Sequence, residues 1–153
     1  MRRLPGVVTG GVATGKTTVL DRFRWHGLAV ASADNVVGEI WSDEKEARPL
    51  ATELGVGFPA DRDDLRARLS DPAFRARMAN ALHRRVMDKL FASGAQVVEI
   101  PLLCEGCLQG VAEVVVVVSC SPETQLRRLT QRLGDQLQAE QLIATQLSTP
   151  VTL

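Results

Sequence analysis

The residues with the clearest chemistry lie near the start of the chain, in "VVTGGVATGKTTVL", Val7 to Leu20. Gly10 and Gly15 have four residues between them and are followed at once by Lys16 and Thr17. Glycines let a backbone curl until successive N–H groups converge on one point, and the head of a helix behind them adds partial positive charge. Such a loop attracts an anion, and G-x-x-x-x-G-K-T between an apolar run and a helical pattern fits the phosphates of a nucleoside triphosphate. On this reading Gly10, Gly11, Val12, Ala13, Thr14, Gly15, Lys16, Thr17 and Thr18 bind the nucleotide. The Lys16 ammonium reaches the β- and γ-phosphates and the Thr17 hydroxyl ligates magnesium, while Thr18 packs in the helix or makes a minor phosphate contact. A plain glycine-rich turn would explain the glycines but not Lys16 and Thr17 at the required offset.

A second candidate is Asp34, at the end of "VASAD". Ligands of open α/β sheets gather at the carboxyl ends of the strands, so a carboxylate there can face an acceptor hydroxyl and orient or deprotonate it. Asp34 would serve equally well as the N-cap of a helix beginning at "NVVGEIW". Both readings stay open on these residues alone. Cys104 and Cys107 form a CxxC, but there is no second pair, the histidines His26 and His83 are far off in sequence, and a zinc site needs four ligands.

The elements that must position these residues follow from hydrophobic pattern and punctuation. Leu4 to Thr9 reads as a strand, Gly15 to about Trp25 as a helix closed by Gly27, and Leu28 to Ser32 as a second strand. In the long helical interval that follows, Asp71-Pro72 reads as an N-cap with proline in the first turn. Phe74, Met78, Leu82, Val86 and Leu90 then recur every fourth residue until Ser93-Gly94, which predicts one core-facing stripe. Gln96 to Ile100 and Val114 to Val118 lie in β-branched runs without alternation, as expected of parallel strands covered by helices on both faces. Ser121-Pro122-Glu123 starts a further helix, with Leu126, Leu129 and Leu133 on one side. The expected fold class is α/β, a three-layer α/β/α P-loop NTPase fold with a mostly parallel sheet.

Composition sets the outer limits. The 153 residues, 45% hydrophobic, suit one compact domain. Lysine plus arginine equal aspartate plus glutamate at 18 each, so no global charge excess points to nucleic acid or an anionic membrane. No apolar run approaches a membrane span or a signal segment, and the odd cysteine count fits a reducing compartment; the expectation is a cytoplasmic protein. Oligomeric state is not legible.

Taken together, "TGGVATGKTT", "VASADNVV", "DRDDLRARLSDPAFRARMANALHRRV", "VVEIPLLCEG" and "VVVVVSCSPETQLRRLTQR" occur in the order and approximate spacing of dephospho-coenzyme A kinases, and the chain resembles that family over nearly its whole length. The resemblance implies transfer of the ATP γ-phosphate, with Mg2+, to the 3′-hydroxyl of dephospho-CoA. It matches Asp34 to the family's catalytic aspartate, Arg62 to an arginine on the acceptor side, and His83 to the family's histidine. Glu99 ends a β-branched strand where a P-loop protein puts its second acidic residue, which holds a magnesium-bound water. Pro101, Leu102, Leu103 and Glu105 complete a segment that shapes the acceptor pocket. Arg128 and Arg132 fall where the family's arginines lead into a lid, with Arg132 assigned to the transferring phosphoryl group. The acceptor-binding region is expected over about 34–92 and a partial lid over about 132–147.

Other roles exist for several of these residues. Arg62 could sit on a solvated helix face beside an Asp64–Arg68 pair, His83 could be a partly buried histidine of its helix, and Arg128 and Arg132 could simply solvate theirs. The chain also departs from the family pattern. Ser32 stands for the first aspartate of a paired motif, Arg84 for the proline after the histidine, and Cys104 for the aromatic before Glu105. The lid stretch "LGDQLQAEQLIATQ" lacks a further arginine, and "STPVTL" is expected to lie outside the resemblance. Family members continue with another strand and a final helix, so a C-terminally shortened member with one uncovered sheet edge and a partial adenine pocket is expected. Three functions remain in view: a dephospho-CoA kinase, another small-molecule P-loop kinase, and a catalytically impaired or truncated binding protein of the same ancestry.

Overall fold

The computed structural model describes residues 3–100 and 110–147. The elements run β1 (Leu4–Gly10), α1 (Lys16–Trp25), β2 (Val30–Ser32), α2 (Ala33–Ser42), α3 (Glu44–Leu54), α4 (Arg62–Arg68), α5 (Pro72–Ala92), β3 (Val97–Glu99), β4 (Ala112–Val118), α6 (Pro122–Leu133) and α7 (Gln136–Leu147). Two compact units result, one of residues 1–32 with 94–153 and one of residues 33–93.

The first unit carries the sheet. Its four strands lie in the order β2-β3-β1-β4 and every pairing is parallel, so the chain is of the expected α/β class. Val8 pairs with Glu99 and Ser32 with Glu99, while Gly10 pairs with Val118. These pairings bring the carboxyl ends of all four strands to one edge. The chain leaves β1 for β2 on one side and later returns to place β4 on the other, which makes the head of β1 the switch point where open α/β sheets bind ligands. Val8, Leu20 and Val97 form a buried cluster, with Val19, Phe23, Leu28, Val30, Val116 and Val118 packed around it, and this fixes α1 against the sheet.

One expectation fails here. β4 was read as covered on both faces, but Val114, Val115 and Val117 are 57%, 47% and 51% exposed. The reason is position: among the described residues β4 lies at the end of the sheet with β1 as its partner, whereas a valine run in a central strand is buried by neighbours on each side.

The second unit is helical. Asp71 caps α5 through a hydrogen bond accepted from the Ala73 N–H, with Pro72 in the first turn, and Gly94 (φ 68) follows the helix end at Ser93. Phe74, Leu82, Val86 and Leu90 are buried and Met78 is half-buried, as the four-residue repeat predicts. Each fully buried side chain of this kind stabilises by about 1.5–3 kcal/mol. α3 docks on α5 through Ala47, Leu50, Ala51 and Leu54, all buried, and through ion pairs Lys89–Glu46 (2.7 Å) and Arg85–Glu53 (2.9 Å). Among the described residues no helix is long and apolar enough to cross a membrane.

Candidate active site

The loop between β1 and α1 is curled as its glycines suggest. Gly10 has φ 147, and a Cβ there would lie 2.2 Å from the Val118 carbonyl oxygen, so the close approach of β4 alone demands glycine. Gly15 is left-handed (φ 106) and forms the N-cap of α1 without a side-chain cap, and the first turn of α1 carries no acidic residue. The positive end of α1 is therefore left for an external anion. Ala13 is also left-handed, at φ 58, an uncommon state for a residue with a Cβ.

Side chains hold this curl. The Thr14 hydroxyl donates to the Gly11 carbonyl at 2.8 Å, and Lys16 Nζ donates to the Gly10 and Gly11 carbonyls at 2.8 Å each. From α6, Gln125 Nε2 donates to the Val12 carbonyl at 2.8 Å, and Arg128 Nη1 lies 3.4 and 3.3 Å from the carbonyls of Ala13 and Thr14. Of the two α6 arginines that the resemblance sets at the approach to the lid, Arg128 meets the loop. Arg132 is exposed one turn further on. Gln125 escaped the sequence reading. Its spacing of three from Arg128 on one helix face was the available signal.

Thr17 is exposed in the first turn of α1, and Glu99 is half-buried at the carboxyl end of β3. A hydroxyl and a carboxylate suit magnesium, which keeps several waters and takes phosphate oxygens rather than an all-protein cage. The donor chemistry therefore fits that ion.

The helical unit holds a cleft of about 520 Å³ lined by Asp34, Val37, Gly38, Trp41, Ser42, Glu44, Phe58, Pro59, Ala60, Arg62 and Leu65. Asp34 and Arg62, twenty-eight positions apart in sequence, thus share one wall of space. Its aromatic members Trp41 and Phe58 were not foreseen. The Arg48 guanidinium covers the Phe58 ring at 4.6 Å, which fixes that wall from behind.

Asp34 does not cap its helix. α2 starts at Ala33, directly after β2, so Asp34 sits within the first turn, exposed, with its carboxylate near the positive helix end. Arg62 is exposed at the first position of α4, behind the Asp61 cap, and the Asp64–Arg68 pair forms beside it at 2.9 Å. His83 is exposed on α5 rather than partly buried and is not among the cleft-lining residues. Pro101, Leu102, Leu103 and Glu105, the Cys104 and Cys107 pair, and the tail from Ser148 lie outside the described residues.

Known proteins with this arrangement agree on its kind. The family model of dephospho-CoA kinase matches residues 6–151, and so reaches Val151, inside the tail that the resemblance was expected to leave out. A dephospho-CoA kinase of Burkholderia pseudomallei is 35% identical over 161 residues, covering 95% of this chain and 79% of the relative. One from Streptococcus mutans is 31% identical, with 92% and 79% covered. A solved structure, TT1252 from Thermus thermophilus, superposes with a TM-score of 0.73 at 27% identity, covering 95% of this chain and 81% of that one. The P-loop and its parallel sheet are thus built on a sequence that matches one family from the first strand almost to the last residue, and the chain belongs to the dephospho-CoA kinase family.

Proposed function

We propose that this chain transfers the γ-phosphoryl group of ATP to the 3′-hydroxyl of dephospho-CoA, giving CoA and ADP. The observation that carries the reading is the curled loop from Gly10 to Gly15, with Lys16 behind it, in a chain matched to the family over residues 6–151. Loop N–H groups and the head of α1 bind the phosphates, and the Lys16 ammonium offsets charge that spreads over the γ-phosphoryl oxygens as it moves. For this, Lys16 must exchange its two loop carbonyls for phosphate oxygens. Thr17, and Glu99 through a water, would hold magnesium, which would supply neutralisation of the phosphate charge.

On the acceptor side Asp34 orients the hydroxyl and accepts its proton as the new P–O bond forms. Arg62, in the same cleft, meets anionic groups of the acceptor, and Trp41 and Phe58 offer flat apolar surface to its uncharged parts. His83, Pro101, Leu102, Leu103 and Glu105 are assigned to acceptor binding on the family resemblance. Arg132 is assigned to the lid over about 132–147, joined by Arg128, and residues 33–93 form the acceptor-binding part of one catalytic domain. The reaction uses cytoplasmic substrates and involves neither nucleic acid nor membrane.

The test is conversion of dephospho-CoA to CoA by the purified chain with ATP and magnesium, after calorimetry with each substrate alone. ATP-dependent turnover of dephospho-CoA, in preference to other hydroxyl acceptors, is the expected result. Binding of both substrates without turnover would instead identify a binding protein of the same ancestry.

A further inference from the structure

We infer that Gln125 is a positioning residue for the nucleotide: with Arg128 it splints the phosphate loop from behind and keeps the loop's N–H groups aimed inward before any nucleotide arrives. The inference rests on the reading of this loop as the ATP site.

For the N–H groups of residues 11–15 to converge on a phosphate, the carbonyls between them must point away, where each needs a donor. Three consecutive carbonyls, those of Val12, Ala13 and Thr14, face donors from one face of α6. The Gln125 bond is the short one, at 2.8 Å, and the two Arg128 contacts, at 3.3 and 3.4 Å, are long for hydrogen bonds. The splint also crosses the loop where it is least comfortable, since Ala13 is left-handed. Backbone held in that region persists only where surrounding contacts over-determine it. α6 can act as a rigid support because Ser121 caps it, its hydroxyl accepting from the Thr124 N–H, and Leu129 is fully buried.

A loop that spends only part of its time in the binding arrangement loses apparent affinity in proportion. Gln125→Met keeps length and helix propensity but has no donor. It is expected to weaken ATP binding, measured by calorimetry on the full chain, by about tenfold. Dephospho-CoA affinity should stay within about twofold, and kcat at saturating ATP should change less than the KM for ATP. Gln125→Lys restores a donor over a similar reach and should recover ATP affinity. Unchanged ATP affinity in a folded Gln125→Met, or equal weakening of both ligands, overturns the inference. If Gln125→Met does not fold, Gln125→Asn gives the same comparison with a shortened reach; if that also fails to fold, the residue is structural and the inference is wrong. Failure of the unsubstituted protein to bind ATP would instead remove the phosphate-loop reading on which all of this stands.

Discussion

Between Gly10 and Gly15 the backbone is fixed from several sides at once: by Lys16 and Thr14 within the loop, by Gln125 and Arg128 from α6, and by the Val118 carbonyl against Gly10. Around Asp34 and Arg62 the cleft walls are ordinary helix surfaces, and both charged groups are exposed, with no hydrogen bond or ion pair of their side chains among the described residues. The loop is shaped before binding. The cleft offers groups whose partners arrive with the acceptor. Preorganisation of that kind suits the phosphates, which are the same in every turnover and must be met by fixed dipoles, whereas long exposed side chains suit capture of a larger and more flexible molecule.

If that contrast is right, changes in the loop should affect both chemistry and folding, and changes in the cleft chemistry alone. The largest effect is expected from Lys16→Ala. Phosphoryl transfer should fall by about a thousandfold or more, since the cation that offsets the charge on the γ-phosphoryl group is lost. Because Lys16 also bonds two loop carbonyls, urea unfolding should show a cost of about 1 kcal/mol. Full activity in this variant would break the assignment of the loop as catalytic.

Asp34→Asn comes next and tests the other half of the comparison. Turnover should drop by about a hundred- to ten-thousandfold, because an amide cannot accept the proton. Asp34 lies in the first turn of α2 rather than at its cap, so stability should fall by only about 0.3–1 kcal/mol as a favourable charge leaves the helix head. A stability loss with little change in turnover would reduce Asp34 to a helix-end charge and erase the contrast.

Gly10→Ala belongs to the loop and should act on folding first. Its Cβ would meet a backbone oxygen at 2.2 Å, in a conformation that L-residues rarely adopt, and the expected cost is about 3 kcal/mol, read from the urea midpoint. A midpoint like that of the unsubstituted protein would show that the loop is less constrained than its contacts imply.

The smallest effect concerns the helical unit alone. The hydrogen bond that Lys89 donates to the Glu46 carboxylate raises the Lys89 pKa above its ordinary value, outweighing a smaller opposing desolvation. A raised folded-state pKa gives stability that is full below the unfolded lysine pKa of about 10.4 and is lost as pH rises through the folded value. Glu46→Gln should therefore lower the urea midpoint at pH 8, and the gap from the unsubstituted protein should narrow by pH 11. A gap independent of pH would mean that the pair acts through packing only.

The sequence reading succeeded where backbone geometry itself selects residue types. Gly10, Gly15 and Lys16 are recognisable because the curl excludes side chains at fixed offsets, and α5 because Asp71-Pro72 and Gly94 punctuate both ends. It failed where the answer depends on distant neighbours. The valines of β4 read like those of a central strand, since a β-branched run looks the same at an edge, and the strand order is not written in it. Gln125 looks like a solvent-facing residue of an amphipathic helix, yet its partner is 113 residues earlier in the chain. Asp34 suits a capping role because asparagine and aspartate favour that position, but α2 follows β2 without a spacer and begins at Ala33, two residues sooner than a cap at Asp34 requires.

The bare valines of β4 have a consequence for how the protein behaves in a tube. Five consecutive valines, Val114 to Val118, on a strand paired on one side among the described residues, present a row of backbone donors and acceptors with no charge among them. Sheets commonly blunt such borders with lysine, proline or a covering element, and a long flat apolar one recruits β-prone segments of other chains. Formal net charge is zero at pH 7, so no long-range repulsion keeps molecules apart. A single lysine in place of Val115 or Val117 is therefore expected to raise the concentration at which the folded protein stays in solution, more than a change that only raises the melting temperature.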